Sequence, residues 1–253
     1  MWVLLIANAL WFPSGPTSEL LAPRELPRLI GHVAVGLVAL NLSFTVWHEA
    51  VHGLVFKGAL GNHVVGLLGA FPALIPWFTI RRGHQLHHAH TNDPERDPDQ
   101  WFLRGSIWSL PMRYPAGIAR TRRLVLASGQ PAFEPWADRA QLALALGAMA
   151  ALAWTAGPLL VLCCWIVPKG SAMWIHAWYV NVLPHRGLPA GRYQDTRIFA
   201  LNWLAPFFLM HQYHGLHHAW ASVPWHRYGA AFRAKRDFLE ARGVPVRTTL
   251  RER

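Results

Sequence analysis

Nine of the chain's 15 histidines fall in four tight groups whose spacing matches one face of a helix. The groups are His48-Glu-Ala-Val-His52, His84-Gln-Leu-His87-His88, Asn181-Val-Leu-Pro-His185 and His214-Gly-Leu-His217-His218. A helix repeats every 3.6 residues, so positions i, i+3 and i+4 share a face and each group points two or three side chains the same way. Adjacent imidazoles buried without a partner lose solvation and, when protonated, repel one another. A metal removes both costs, and neutral imidazole suits iron, zinc and copper. The clusters therefore predict metal binding. His32, His63, His90, His176, His211 and His226 stand alone and read as packing or surface residues, with His90 and His211 the nearest to a cluster.

Hydrophobic residues make up 53% of the chain and charged residues 15%. Charged residues run near a quarter in soluble domains, so the composition points to a membrane protein. The net charge of +11 is unevenly placed. Arg81 to Arg139 holds nine Lys and Arg, Arg186 to Arg253 holds eleven, and only Arg24, Arg28, Lys57 and Lys169 lie elsewhere. The positive-inside rule puts both blocks on the cytoplasmic side. Nucleic-acid binding is the rival reading of so basic a chain, but the apolar runs between the blocks need lipid. Cys163 and Cys164 are adjacent, a poor geometry for a structural disulfide, and read as packing residues.

Met1 to Phe12 is apolar but too short to span, and Pro13 to Pro27 reads as a loop. Leu29 to Trp47 carries no charge, is long enough to span, and runs directly into His48. Leu60 to Ile80 is interrupted by Pro72 and Pro76 and reads as re-entrant or interfacial. Gln141 to Val167 reads as the longest clean span, kinked at Gly157-Pro158. Pro168-Lys-Gly170 reads as a tight turn, after which Ser171 to Leu183 returns and delivers Asn181 and His185. Ile198 to Met210 reads as an apolar stretch along the interface.

His48-Glu-Ala-Val-His52 alone matches a zinc-protease pattern with Glu49 as base. Catalytic zinc needs three protein ligands and has no redox chemistry. Nine candidate imidazoles are enough for two metals, and two adjacent irons left open to a small molecule can activate dioxygen. A zinc peptidase leaves seven histidines unexplained. A metal transporter, the non-enzyme alternative, places its ligands at mid-bilayer rather than at helix ends. Three carboxylates, Glu49, Asp93 and Asp97, are candidates to accept the free ring N–H of a ligating histidine and so fix its tautomer.

From about Leu29 to Gly243 the sequence resembles the membrane fatty-acid desaturase superfamily of histidine-box enzymes. Its boxes match His48/His52, His84/His87/His88 and His214/His217/His218, and Asn181 with His185 looks like the Asn-x-x-x-His of the animal acyl desaturases. In those enzymes the Asn reaches its iron through water; here Pro184 falls inside the motif. The stretches at 87–101 and 217–228 look closest to bacterial carotenoid ring hydroxylases. The resemblance implies an all-α integral membrane protein over residues 1–253, a transmembrane helix bundle with a cytoplasmic helical cap carrying a di-iron site. It implies a bacterial inner-membrane enzyme with its active site on the cytoplasmic side. The ligands it implies are His48, His52, His84, His87, His88, Asn181, His185, His214, His217 and His218. Two irons would activate dioxygen to desaturate or hydroxylate a long apolar lipid. The reaction expected first is fatty-acid desaturation, with carotenoid ring hydroxylation the alternative. No flavin, haem or iron–sulfur motif is present, so electrons would come from a donor such as an acidic ferredoxin docking on the basic face.

Both His-x-x-His-His groups adjoin Arg-rich blocks, which predicts that they share one side of the membrane. Single cysteines introduced near Arg96 and near Arg242 should be labelled by an impermeant reagent only from the cytoplasmic face. Labelling of the two from opposite faces would separate the groups and rule out a common centre.

Overall fold

In the computed structural model, which describes residues 1–250, the chain is mostly helical. Arg251 and Arg253 of the basic tail lie outside the described residues. A short helix, α1 (Trp2–Leu10), packs on α2 (Leu26–Val51). The 26 residues of α2 rise roughly 39 Å, more than the ~30 Å of bilayer hydrocarbon. Pro27 lies in its first turn, where a missing N–H costs nothing, and Gly53 follows its C-cap His52 at φ +72°. By length and composition, two helices among the described residues can cross a membrane: the one that ends at Val51 and the one over Pro158–His185.

The segment Leu60–Ile80 leaves and rejoins the same end of α2. Asn62 closes the first turn, accepting from the N–H groups of Val55 and Phe56 and donating to the Phe56 carbonyl at 2.7 Å. From there α3 (Ala59–Ala70) runs back along α2, and Gly69 lies against Trp47. After a turn containing Leu74 at φ +52°, α4 (Trp77–His90) returns to the end of α2. The segment thus doubles back beside α2 instead of running on as one continuous helix. Next come α5 (Leu110–Ala127) and α6 (Phe133–Ala156). Gly83 allows α4 to approach α5, since a Cβ there would meet Thr121 at 2.6 Å.

The free N–H groups in the first turn of α4 find partners on α6. Trp77 N–H donates to Gln141 Oε1 at 2.9 Å, and the N–H groups of Phe78 and Thr79 donate to the Asp138 carboxylate at 2.8 and 2.9 Å. One turn on, the Arg82 guanidinium pairs with Glu134. The helix that carries His84, His87 and His88 is thus tied to α6 by charge and by capping.

Four expectations are corrected. The span foreseen over Gln141–Val167 is two helices: Gly157, at φ +96°, ends α6, and Pro158 opens α7 (Pro158–His185). Met149 and Leu152 of α6 meet Leu160, Val161 and Cys164 of α7, so Gly157-Pro158 is a hairpin turn rather than a kink. Pro168-Lys169-Gly170 is no turn but lies inside α7. A π-helical turn over Leu162–Ile166 precedes Pro168 and shifts the hydrogen-bond register where the proline has no N–H to give. Pro168 also packs on α2 at Gly36, where a Cβ would lie 2.7 Å from its ring. Ser171–Leu183 is therefore the second half of α7, with another π-helical turn over Ala177–Val182 just before Pro184. Finally, the fold is not purely α: Ile198–Phe199 (β1) and Val246–Arg247 (β2) pair in parallel. The stretch expected along the interface, Ile198–Met210, begins with β1 and then exposes Trp203 and Phe207.

Two last helices, α8 (His214–Ala219) and α9 (Tyr228–Ala241), close the structure over β1. Gly215 makes the close approach, its Cα face lying against the Thr196 carbonyl. The basic segments interlock: Arg186 donates to the carbonyls of Leu103 and Gly105 at 3.0 and 2.9 Å.

The tightest contact between α3 and α4 is Gly66 on Trp77, where a Cβ would fall 2.1 Å from the fully buried indole. Gly66→Ala should cost about 1–3 kcal/mol by overpacking. The melting temperature in detergent should fall by several degrees. An unchanged melting curve would contradict the packing of α3 on α4.

Candidate metal centre

Each histidine box is delivered by a helix end. His48 lies in the last turn of α2 and His52 caps it; His84, His87 and His88 occupy the last two turns of α4; His185 ends α7; His214, His217 and His218 lie on α8. The end of α7 is fixed from outside, since the Arg197 guanidinium donates to the carbonyls of Leu183 and Arg186 at 3.2 and 2.7 Å.

These ends meet in one buried place. His48, His52, His84 and His217 form one set, with a ring nitrogen of each within 4.8 Å of the others; His87, His185, His214 and His218 form a second on the same measure. His88 lies between them. Its Nε2 is 2.9 Å from His217 Nε2 and 3.1 Å from His84 Nε2, and its ring stacks on His218 at 4.3 Å. All nine clustered histidines thus come together, and each four-membered set can hold a metal ion.

The outer nitrogens explain the orientation of the rings. His87 Nδ1–H donates to Asp97 Oδ1 at 2.9 Å, and His185 Nδ1–H donates to the Asp195 carbonyl at 3.2 Å. His217 Nδ1 meets the Tyr228 hydroxyl at 2.8 Å and His218 Nδ1 meets the Thr91 hydroxyl at 3.3 Å. Because a carbonyl only accepts, the proton of His185 is fixed on Nδ1 and the lone pair of Nε2 faces the centre. His185 Nε2 and both ring nitrogens of His48 and His214 are buried with no hydrogen-bond partner. Buried orphans of this kind are costly unless something else binds them, and a cation facing the lone pairs fits. The donor set, nitrogen throughout, suits a transition metal.

Electrostatics agree. Burial, then the neighbouring imidazoles, holds His84, His88, His214, His217 and His218 well below the usual histidine value, and His52 falls to about 4. These rings are neutral at pH 7, as ligands must be. His87 differs: burial opposes its protonation, but the carboxylates of Asp97 and Asp99 outweigh it and raise His87 to about 9.

The three candidate carboxylates separate. Asp97 is buried and touches His87; its other oxygen accepts from Asn92 N–H at 2.8 Å, with Asn92 held at φ +63°. Asp93 instead turns to Arg96, 2.6 Å away, and to the N–H groups of Glu95 and Arg96. Glu49 accepts from Trp225 N–H at 3.3 Å and stays 3.9 Å from His48 Nδ1. Asn181 is in neither set: the π-helical turn carries it to an apolar slot, where it hydrogen-bonds Asp99. Tyr228, Thr91 and Asp99 also reach the clustered rings, though the sequence does not single them out; Tyr228 closes the 217–228 stretch. His211 is buried with its ring 5.1 Å from that of His48, joins neither set, and meets the Thr45 hydroxyl at 3.3 Å.

The slot is a cavity of about 100 Å³ between α2, α4, α5 and α7. Phe44, Trp47, Ile80 and Val180 line it, and it meets the centre at His84, His87 and His214. On the other side a polar cleft of about 560 Å³, rimmed by Arg96 and Arg192, reaches His88 and His218.

Residues 26–250 match the profile of the family described as fatty acid desaturase. The chain is similar to a zeaxanthin 4-ketolase of Chlamydomonas reinhardtii, 24% identical over 245 residues that cover 89% of this chain and 49% of the ketolase. It is similar to a dihydrorhizobitoxine desaturase of Bradyrhizobium elkanii, 34% identical over 79 residues, 29% of this chain and 22% of that protein. It is also similar to an omega-3 fatty acid desaturase of Caenorhabditis elegans, 28% identical over 80 residues, 32% of this chain and 20% of that protein. The chain thus spans about half the length of the ketolase and about a fifth of the two desaturases.

Of the carboxylates, Asp97 is the one that orients a clustered ring. Asp97→Asn should weaken Fe(II) uptake by metal-free protein about 10–100-fold, and Asp93→Asn should leave it unchanged. A metal cation bound by His87 would also have to displace its extra proton, so uptake should strengthen as pH rises toward about 9. In Asp97→Asn that rise should move to lower pH. Equal losses from the two substitutions, read by metal analysis, would deny Asp97 this role.

Proposed function

The chain belongs to the fatty acid desaturase family, and from that we propose that it is a membrane-bound, O2-dependent di-iron oxidoreductase that desaturates or hydroxylates a long apolar lipid. Fatty-acid desaturation is the leading reading. The observation that carries it is the pair of four-histidine sets side by side at the end of an apolar slot. His48, His52, His84 and His217 would hold one iron, and His87, His185, His214 and His218 the other, with His88 between them. When bound, the irons would activate dioxygen and supply the oxidising power. Desaturation converts –CH2–CH2–, O2, two electrons and two protons into –CH=CH– and two waters; hydroxylation converts C–H into C–OH with one water.

The chain's own residues do the rest. Phe44, Trp47 and Val180 bind the lipid chain and keep water from it, which strengthens every polar interaction at the slot's end. Asp97 and Tyr228 hold His87 and His217 in register. Asn181 and Asp99 are the polar groups where slot and centre meet, and Asn181 is placed to orient a water there rather than to bind metal itself. The electrons need an external donor. The polar cleft over His88 and His218, rimmed by Arg96 and Arg192, suits an acidic ferredoxin-type protein. On this reading the bundle lies in a bacterial inner membrane, with the centre on the cytoplasmic side. Glu49 holds the Trp225 N–H, which speaks against the role of a peptidase base.

A second reading, oxidation of a carotenoid ring, is favoured by one observation: the similarity that covers 89% of this chain is to a carotenoid ketolase. Expression in a carotenoid-producing host, followed by pigment and fatty-acid analysis, separates the two.

Purified protein should carry about two irons per chain, as two nitrogen-rich sets imply. Alanine at any of His48, His52, His84, His87, His185, His214, His217 or His218 should lower iron content and abolish turnover. Alanine at the exposed His226 should change neither. Stoichiometric zinc without iron, after growth in iron-replete medium, sinks the proposal.

A further inference from the structure

Lys169 is the single Lys, Arg, Asp or Glu between Pro158 and His185, and it sits inside the membrane-length helix α7. It is half-buried. Among the described residues no carboxylate lies within 4.0 Å of it, and its one hydrogen bond is to the sulfur of Met173 at 2.8 Å. Eleven residues, roughly 16 Å of helix, separate it from Pro158. An ammonium at such a depth is expensive and marks a functional site by default, with a partner still to be named.

The position of Lys169 suggests that partner. It lines the apolar slot that ends at His84, His87 and His214, and it also lines a neighbouring cavity of about 310 Å³. Lys169, Tyr114, Met173 and Ala177 line both cavities. Along α7 the residues Lys169, Met173, Ala177 and Asn181 follow one another at four-residue steps on the lining of the slot. Twelve residues separate Lys169 from Asn181, roughly 18 Å at 1.5 Å per residue. The Lys169 ammonium is located by its contact with Met173, one turn on along the slot lining.

We propose that Lys169 is a specificity residue that binds an acceptor oxygen on the end of the lipid remote from the reacting carbon. This rests on the reading of the slot as the lipid site. The substrate is then a long apolar molecule with an oxygen function roughly 18 Å from the Asn181 end of the slot. A carboxylate or ester of an acyl chain supplies such an oxygen, and so does the hydroxyl or ketone of an oxygenated terpenoid. A hydrocarbon supplies none. Filling the slot brings the ammonium its missing acceptor, and the separation between Lys169 and Asn181 becomes the ruler that selects the carbon attacked.

The test is equilibrium binding to the purified full chain, with no turnover required. A fluorescent polyene fatty acid serves as the probe. The competitors are a long-chain fatty acid, the alkane of equal length, a hydroxylated carotenoid and its parent hydrocarbon. Each is measured on wild type, Lys169→Met and Lys169→Arg. The wild type should prefer one oxygenated ligand over its hydrocarbon. Lys169→Met should weaken that ligand about tenfold or more, the scale of a hydrogen bond to a charged group. Its hydrocarbon counterpart should bind as before, and Lys169→Arg should retain most of the preference. Loss confined to the fatty acid identifies an acyl substrate; loss confined to the hydroxylated carotenoid identifies a terpenoid. An equal loss for oxygenated ligand and hydrocarbon, or no loss at all, overturns the proposal. Failure of the di-iron reading is seen separately, as a change in metal content, which none of these variants should alter.

Discussion

The constraint on which this structure depends is the mutual exclusion of its own imidazoles. Six of the nine rings are packed so that inner nitrogens approach one another at 2.9–3.3 Å. Several others are buried with no partner at all. Such a cluster is unfavourable by itself, because desolvation and repulsion keep rings such as His84 and His217 neutral with their lone pairs facing each other, while His87 holds its proton against Asp97 and Asp99. A cation turns the same geometry from a liability into a bond network. Metal binding of this kind is folding energy as much as chemistry, since the ligands arrive from α2, α4, α7 and α8 across most of the chain. The remaining architecture reads as support for that convergence. Asp138 and Gln141 cap α4, Arg197 holds the end of α7, and Asn92 at φ +63° sets the loop that presents Asp97.

The boxes were legible in the sequence because helical spacing is local, so His84/His87/His88 and His214/His217/His218 announce their faces without reference to the rest of the chain. The break of Leu60–Ile80 into two helices was legible from Pro72 and Pro76, which interrupt the apolar run. The course of Gln141 to Leu183 was not. By local rules Gly157-Pro158 suggests a kink and Pro168-Lys-Gly170 a turn, whereas the turn is at Gly157 and the proline is absorbed by a π-helical turn over Leu162–Ile166. A π turn has no local sequence code; it depends on what the helix packs against, here Gly36 of α2. The same effect separates Asn181 from His185. Counting four residues put the two on one face, but the π turn over Ala177–Val182 leaves His185 at the centre and Asn181 on the slot.

Second contacts of the rings were legible only in part. Asp97 could be foreseen because a carboxylate ten residues after His87 lies in a turn-rich segment that folds back. Tyr228 could not, since nothing in a lone tyrosine eleven residues from His217 distinguishes a hydrogen-bond partner from a core residue. Asp93 and Asp97 look alike in the sequence, each followed by polar turn residues. Burial separates them: one touches His87 and the other Arg96.

The division of the boxes between the two sets has a geometric cause that also fixes the centre's dimensions. On a helix, residues i and i+4 nearly overlie while i+3 falls to the other side, so neighbouring positions i+3 and i+4 lie 100° apart. His84 accordingly belongs to the first set and His87 to the second, with His88 between them. On α8 the pattern is inverted, with His214 and His218 in the second set and His217 in the first. Each helix therefore feeds both sets. The ring separations this imposes agree, 5.7 Å for His87 and His88 and 5.6 Å for His217 and His218. The spacing between the two sets is thus set by the radius of two helices rather than by loops. A shift of either helix would move ligands of both sets together.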